Sequence, residues 1–123
     1  MDKSQAIHAF WSQFGLEAYD ENTVPDDATM PYITYEVSVG SLDDPINMMG
    51  SVWYRSTSWR EITKKADEIA ETVNGNGYYI SDIDNRGHLY ITKGIPFYQR
   101  MSDPADDMIR RIYFNLTAEF LSN

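Results

Sequence analysis

The sequence predicts an α+β fold, a mainly antiparallel sheet of four to five strands with two helices packed on one face. Three observations carry it. Ser58 to Gly75 places Trp59, Ile62, Ala66, Ile69, Ala70 and Val73 within about 100° of a helical wheel, the width of one core-facing stripe. Met108 to Leu121 alternates, with Ile112, Phe114, Leu116, Ala118 and Phe120 on one side and Arg111, Tyr113, Asn115, Thr117 and Glu119 on the other, which predicts a strand near the sheet centre. Helical and alternating runs follow in the order helix, two strands, helix, then two or three strands, so short connections join neighbours and helices layer on a sheet.

Taken in order, Ala6, Ile7, Phe10, Trp11 and Phe14 recur at helical spacing, predicting a first helix from Lys3 to Leu16 closed near Gly15. Ala18 to Met30 is acidic, carries Pro25 and has neither periodicity, and reads as an exposed loop. After Pro31, Ile33, Tyr35, Val37 and Val39 alternate with Tyr32, Thr34, Glu36 and Ser38, a strand. Turn formers in Gly40 to Met48 lead to a partner strand, Met49 to Thr57. Ser58 and Glu61 have the spacing of a capping box for the second helix, Glu61 and Lys65 that of a helical ion pair, and Asn74-Gly75 that of a C-terminal cap. Tyr78 to Ile83 is a short strand, Asp84-Asn85-Arg86-Gly87 a turn, and Leu89 and Ile91 resume the alternation as a hairpin. Ile95 to Asp107, with Pro96, Pro104 and three aspartates, reads as a long loop leaving the sheet.

At 123 residues the chain suits a single domain, 1–123, able to bury roughly two-thirds of its unfolded surface. The absence of cysteine excludes disulfides, thiolate metal sites and a thiol nucleophile. No apolar run approaches the roughly 20 residues of a membrane span, and Met1-Asp2-Lys3-Ser4 opens an amphipathic segment instead of a signal peptide, so the expectation is a soluble protein made in a cytoplasm, with no membrane partner. Ten basic against nineteen acidic residues leave a net charge of −9, which opposes direct binding to nucleic acid. Nine tyrosines suit two roles, surfaces that are part apolar and part wet, as at interfaces, or the lining of a β-rich core.

Clusters with chemical potential are few. Asp82, Asp84 and His88 surround a turn, but their spacing matches no Ca²⁺ loop, and turns favour Asp for backbone reasons. Asp103, Asp106 and Asp107 form a denser acidic group, of a kind usually solvated. His8 and His88 have no nucleophile in view for a triad. Asn74-Gly75-Asn76-Gly77 ends a helix and lacks the helix N-terminus that attracts phosphate. The reading expects no cofactor, no metal and no catalytic residue.

Gly94 to Leu121, GIPFYQRMSDPADDMIRRIYFNLTAEFL, resembles the C-terminal part of the small tail-terminator or tail-completion proteins of long-tailed bacteriophages and prophages, often called minor capsid proteins. The likeness is strongest at Pro96-Phe97, Gln99-Arg100, Ser102-Asp103, Asp106-Asp107 and the strand Arg110 to Leu121, and the first helix and Pro31 to Val37 are compatible in order. The resemblance implies a tail-terminator-like α+β subunit that is no enzyme and closes a ring, commonly a hexamer, capping the tail tube and meeting the head connector in the virion. The partners expected are other copies of the chain, tail-tube proteins and head-connector proteins. Interfaces are expected in the Ile95 to Asp107 loop, with Phe97, Tyr98 and Arg100; in the Gly40 to Met49 loop, with its Met48-Met49 pair; and on the outward side of the last strand, with Arg110, Arg111 and Tyr113. Arginine forks hold a neighbour's carboxylates or are used up within the subunit. Two rival classes stay open, a monomeric binding or immunity module with one compact apolar patch, and a small enzyme with a pocket around His88 and two carboxylates.

Overall fold

The computed structural model describes residues 1–37 and 46–122. Among them lie helices α1, Lys3–Ser12, and α2, Arg60–Thr72; strands β1, Glu17–Asp20, β2, Tyr32–Val37, β3, Ile46–Arg55, β4, Tyr78–Ile83, β5, Gly87–Ser102, and β6, Ile109–Ser122; and a 3₁₀ turn, Glu21–Thr23. The strands form one sheet in the order β1-β2-β3-β6-β5-β4. All neighbours are antiparallel except β1 and β2, which run parallel with Ala18 opposite Ile33. β6 lies inside the sheet, as its alternation predicts.

Two expectations about strands are corrected. Among the described residues the sheet has six strands, and the additional one is β1, inside the stretch expected to be an exposed loop. Four residues are too few for periodicity to register, but Ala18 is buried in the core and Asp20 caps the following turn by accepting from the Asn22 amide at 3.1 Å. The long loop expected from Ile95 to Asp107 is instead mostly the distal half of β5. There Tyr98 to Ser102 pair with Phe114 to Arg110, and only a short turn remains before β6. The sequence misleads because Pro96 sits in a bulge. Between the pairs Lys93–Leu116 and Tyr98–Phe114, four residues of β5 face Asn115 alone, so no ladder amide is needed from the proline.

Both helices cover one face of the sheet. The inward residues Ile33, Met48, Val52, Leu89, Ile91, Ile112, Phe114, Leu116 and Ala118 meet Ala6, Ile7, Phe10, Trp11 and Phe14 from the α1 segment and Ile62, Ala66, Ile69 and Val73 from the α2 segment. α1 packs on β1 and also on β4, strands at opposite ends of the order, with Phe10 5.4 Å from the Tyr78 ring. The sheet therefore curls around α1. Trp11 fills the hollow and needs Gly50 beneath it, because a Cβ there would come within 2.5 Å of the indole.

The helix ends differ from the expected ones. α1 stops at Ser12 and the chain turns at Gly15, whose φ is +78°. Its start carries a capping box, with the Gln5 amide donating to Asp2 Oδ1 at 2.8 Å and the Asp2 amide to Gln5 Oε1 at 2.9 Å. The box expected at Ser58 is absent. Ser58 Oγ accepts from the Arg60 amide at 3.1 Å, while half-buried Trp59 occupies the cap position without a side-chain bond, lying under the guanidiniums of Arg100 and Arg110. Lys65 does not pair with Glu61. It donates to the Phe14 carbonyl at 2.6 Å and to Glu68 at 2.7 Å, serving a carbonyl just beyond the end of α1. After α2 the left-handed residue is Gly77, not Gly75, and its amide donates to the Asn74 carbonyl at 2.9 Å.

Candidate functional site

The face of the sheet opposite the helices carries Tyr19 from β1, Tyr32 from β2, Trp53 from β3, and Arg111 and Tyr113 from β6. Cross-strand pairing places Tyr32 opposite Trp53 and Trp53 opposite Arg111, so these side chains form a row across four strands. Tyr19 meets Tyr32 edge-on at 5.9 Å, Tyr32 lies 6.4 Å from Trp53, and the Arg111 guanidinium stacks 4.5 Å over Trp53 and 5.4 Å from Tyr113. Two buried hydroxyls fix the row. Trp53 Nε1 donates to Thr34 Oγ1 at 2.9 Å, and Arg111 Nε donates to Ser51 Oγ at 2.9 Å. Trp53 and Arg111, held by these hydrogen bonds with tyrosines packed on either side, form a surface apolar in its rings and polar at its tips, of the composition enriched at protein interfaces.

Beside the row, Glu36 of β2 faces Glu21, Arg111 and Tyr113. Its pKa is raised, first by hydrogen bonding with the Glu21 carboxyl, then by burial and the Glu21 charge, against the lowering pull of Arg111. The native state therefore holds this proton more tightly than the unfolded chain does. The stability it contributes is present below the ordinary glutamate pKa and lost as pH rises through the raised value. Glu36→Gln is expected to remove that loss, so urea midpoints of wild type and variant converge in acid and diverge towards neutrality with the variant ahead. Parallel profiles across that range would mean the two carboxyls do not share a proton.

Residues 40–45 of the expected Gly40 to Met49 interface lie outside the described residues, and the expected interface residues that are described fall into four groups. Met49, Arg111 and Tyr113 are half-buried on the helix-free face, and Tyr98 and Arg100 are exposed on β5, with Arg100 lying 4.9 Å over Trp59. Phe97 packs 5.4 Å from Phe114 and is partly buried. Two residues are spent inside the subunit. Met48 is corrected outright: it is wholly buried, because the alternation of β3 turns it towards the helices and its neighbour Met49 away. Arg110 lies 5.4 Å over Trp59 and donates to the carbonyls of Thr57, at 2.9 Å, and of Asp107, so its fork is used in tying the turns on either side of it. Ile95, fully exposed on the β5 bulge, lies within the expected Ile95 to Asp107 stretch but is not singled out there, and the row Tyr19, Tyr32 and Trp53 is not expected from the sequence at all. An isoleucine between Gly94 and Pro96 was a legible sign of a bulge tip; the row needed the strand register.

The acidic and histidine clusters have ordinary structural surroundings. Asp82 and Asp84 take positive φ at the β4–β5 turn, and His88 lies 5.4 Å from the Tyr79 ring, which stacks on Tyr90 at 4.6 Å. His8 Nδ1 is 3.0 Å from the Tyr35 hydroxyl. Asp103 and Asp106 accept turn amides, and Asp106 also pairs with Arg55 at 3.1 Å; the Met108 amide and then Arg55 hold its pKa below the usual value. Among the described residues no helix is long and apolar enough to cross a membrane.

No family model and no curated protein matches the sequence. Among solved structures, a chain from the virion of a native gene transfer agent particle has a similar fold. The alignment covers 95% of this chain and 84% of that chain, with a TM-score of 0.58 and 14% identity. At that identity the likeness is one of fold.

Proposed function

We propose that the chain is a structural subunit of a phage-like virion, a tail terminator or head–tail completion protein that closes a ring and docks a tail tube to a head connector. The observation that carries this reading is the fold likeness, along nearly the whole chain, to a chain of a gene transfer agent virion. The resemblance of Gly94 to Leu121 to tail-terminator proteins points the same way. The helix-free face supports it, since a row of stacked aromatic and arginine side chains suits docking. Ring closure requires heterologous contacts, in which two different patches repeat around the axis. A net charge of −9 also suits a subunit past which DNA moves without adhering.

The test is genetic. Deleting the gene from an inducible prophage that carries it, then imaging the lysate, is expected to give tails of uncontrolled length or full heads separated from tails. Normal infectious particles would remove the proposal, and a defect confined to host metabolism would favour an enzyme.

A further inference from the structure

The two ends of the sheet differ in charge and in how their edges are finished. Residues 4–54, which supply β1, β2 and nearly all of β3, contain eight carboxylates and no lysine or arginine. Glu17, Asp20 and Glu21 lie on or beside β1, the strand that ends the sheet on that side. At the other end, β4 pairs with β5 only as far as Ile91. From Thr92 to Ser102 β5 has β6 on one side and, among the described residues, no strand on the other. This free stretch carries Lys93 and Arg100 and no carboxylate.

Free edges are usually blunted by proline, bulges or charge, because their unpaired amides and carbonyls recruit foreign strands. The bulge at Gly94 to Phe97 blunts the first part of this one. Tyr98 to Ser102 is left regular, and exposed apolar groups flank and line it: Ile95 is 100% exposed, Tyr98 39% and Met101 37%. Its length, five residues, is within one of the four of β1.

We infer that the free edge of β5, Tyr98 to Ser102, receives the acidic β1 edge of a second copy of this chain, so that the sheet continues head to tail from subunit to subunit. The inference rests on the ring reading and names the two patches such a ring repeats. Main-chain hydrogen bonds supply the contact, as in strand addition, and Arg100 and Lys93 against Glu17, Asp20 and Glu21 set its polarity. Pairing two copies through the same edge would bring like charges together; the head-to-tail arrangement avoids that.

Sedimentation of the concentrated chain tests it with two charge reversals, Arg100→Glu and Glu17→Arg, each checked for a native circular-dichroism melt. Wild type is expected to self-associate, and each single variant to do so more weakly by about tenfold or more. An equimolar mixture of the two variants recovers association, and so does the chain carrying both, because a reversed edge again meets its opposite. If Arg100→Glu fails to fold, Lys93→Glu takes its place. Single variants that associate like wild type, or a mixture that stays monomeric while wild type assembles, would overturn the edge assignment and leave the ring reading standing. A wild-type chain that stays monomeric at all concentrations would overturn self-docking through these edges, and the prophage deletion would then decide the virion role independently.

Discussion

Ile69→Asp is expected to unfold the domain. Ile69 lies in the last turn of α2, is wholly buried, and shares the core with Ile62, Ala66 and Val73 against the curled sheet. No lysine or arginine is among the buried residues there, so the new carboxylate would either be stranded or hold a proton that neutral water readily takes. Either way the cost is on the order of 4 kcal/mol or more, a large part of the roughly 5–15 kcal/mol that stabilises a domain of this size. Asp67→Ala, two positions away on the exposed side, is the control and should change stability by less than about 0.5 kcal/mol. A circular-dichroism melt of Ile69→Asp that overlays the wild type would mean that α2 does not bury this face.

Trp11→Ala is the second large loss, about 3–5 kcal/mol, because the indole is wholly buried and fills the hollow of the sheet against Phe10, at 5.0 Å, and Phe114, at 6.5 Å. Its environment makes a finer prediction. Among the described residues Trp11 Nε1 is buried with no hydrogen-bond partner, so Trp11→Phe gives back part of what it loses in packing by deleting an unsatisfied donor. The indole also occupies the space a Cβ at Gly50 would need, with ring carbons 2.5 to 2.9 Å from that position. Gly50→Ala alone should cost about 1–3 kcal/mol by overpacking. In a Trp11→Phe background, where the outer ring is gone, it should cost less. Denaturant melts of the four chains measure that coupling, and strictly additive losses would show that the two positions do not meet.

What could be read from the sequence was what short-range periodicity encodes. The apolar stripe of α2 and the alternation of β6 each mark one face along many residues, and Asp84-Asn85-Arg86-Gly87 has the residues that tolerate positive φ, which Asp84 and Asn85 indeed adopt at 53° and 57°. The β6 part of the candidate docking surface was legible for the same reason: once the phase of β6 is known, Arg111 and Tyr113 must lie opposite Ile112 and Phe114.

Tertiary structure decided the remainder, where the deciding group lies far along the chain. β1 exists because β2 offers it an edge and the core takes Ala18. The distal half of β5 is a strand because β6 continues beside it, which lets Pro96 sit in a bulge with no amide owed to the ladder. Met48 and Met49 are adjacent and chemically alike, and only the register of β3 against β6 sends one into the core and the other to the open face. Arg110 and Arg111 are divided in the same way, one over Trp59 and the other over Trp53. A side chain's type is local, but its partner is set by pairing between strands distant in sequence, so only the assembled sheet determines which arginine is spent within the subunit.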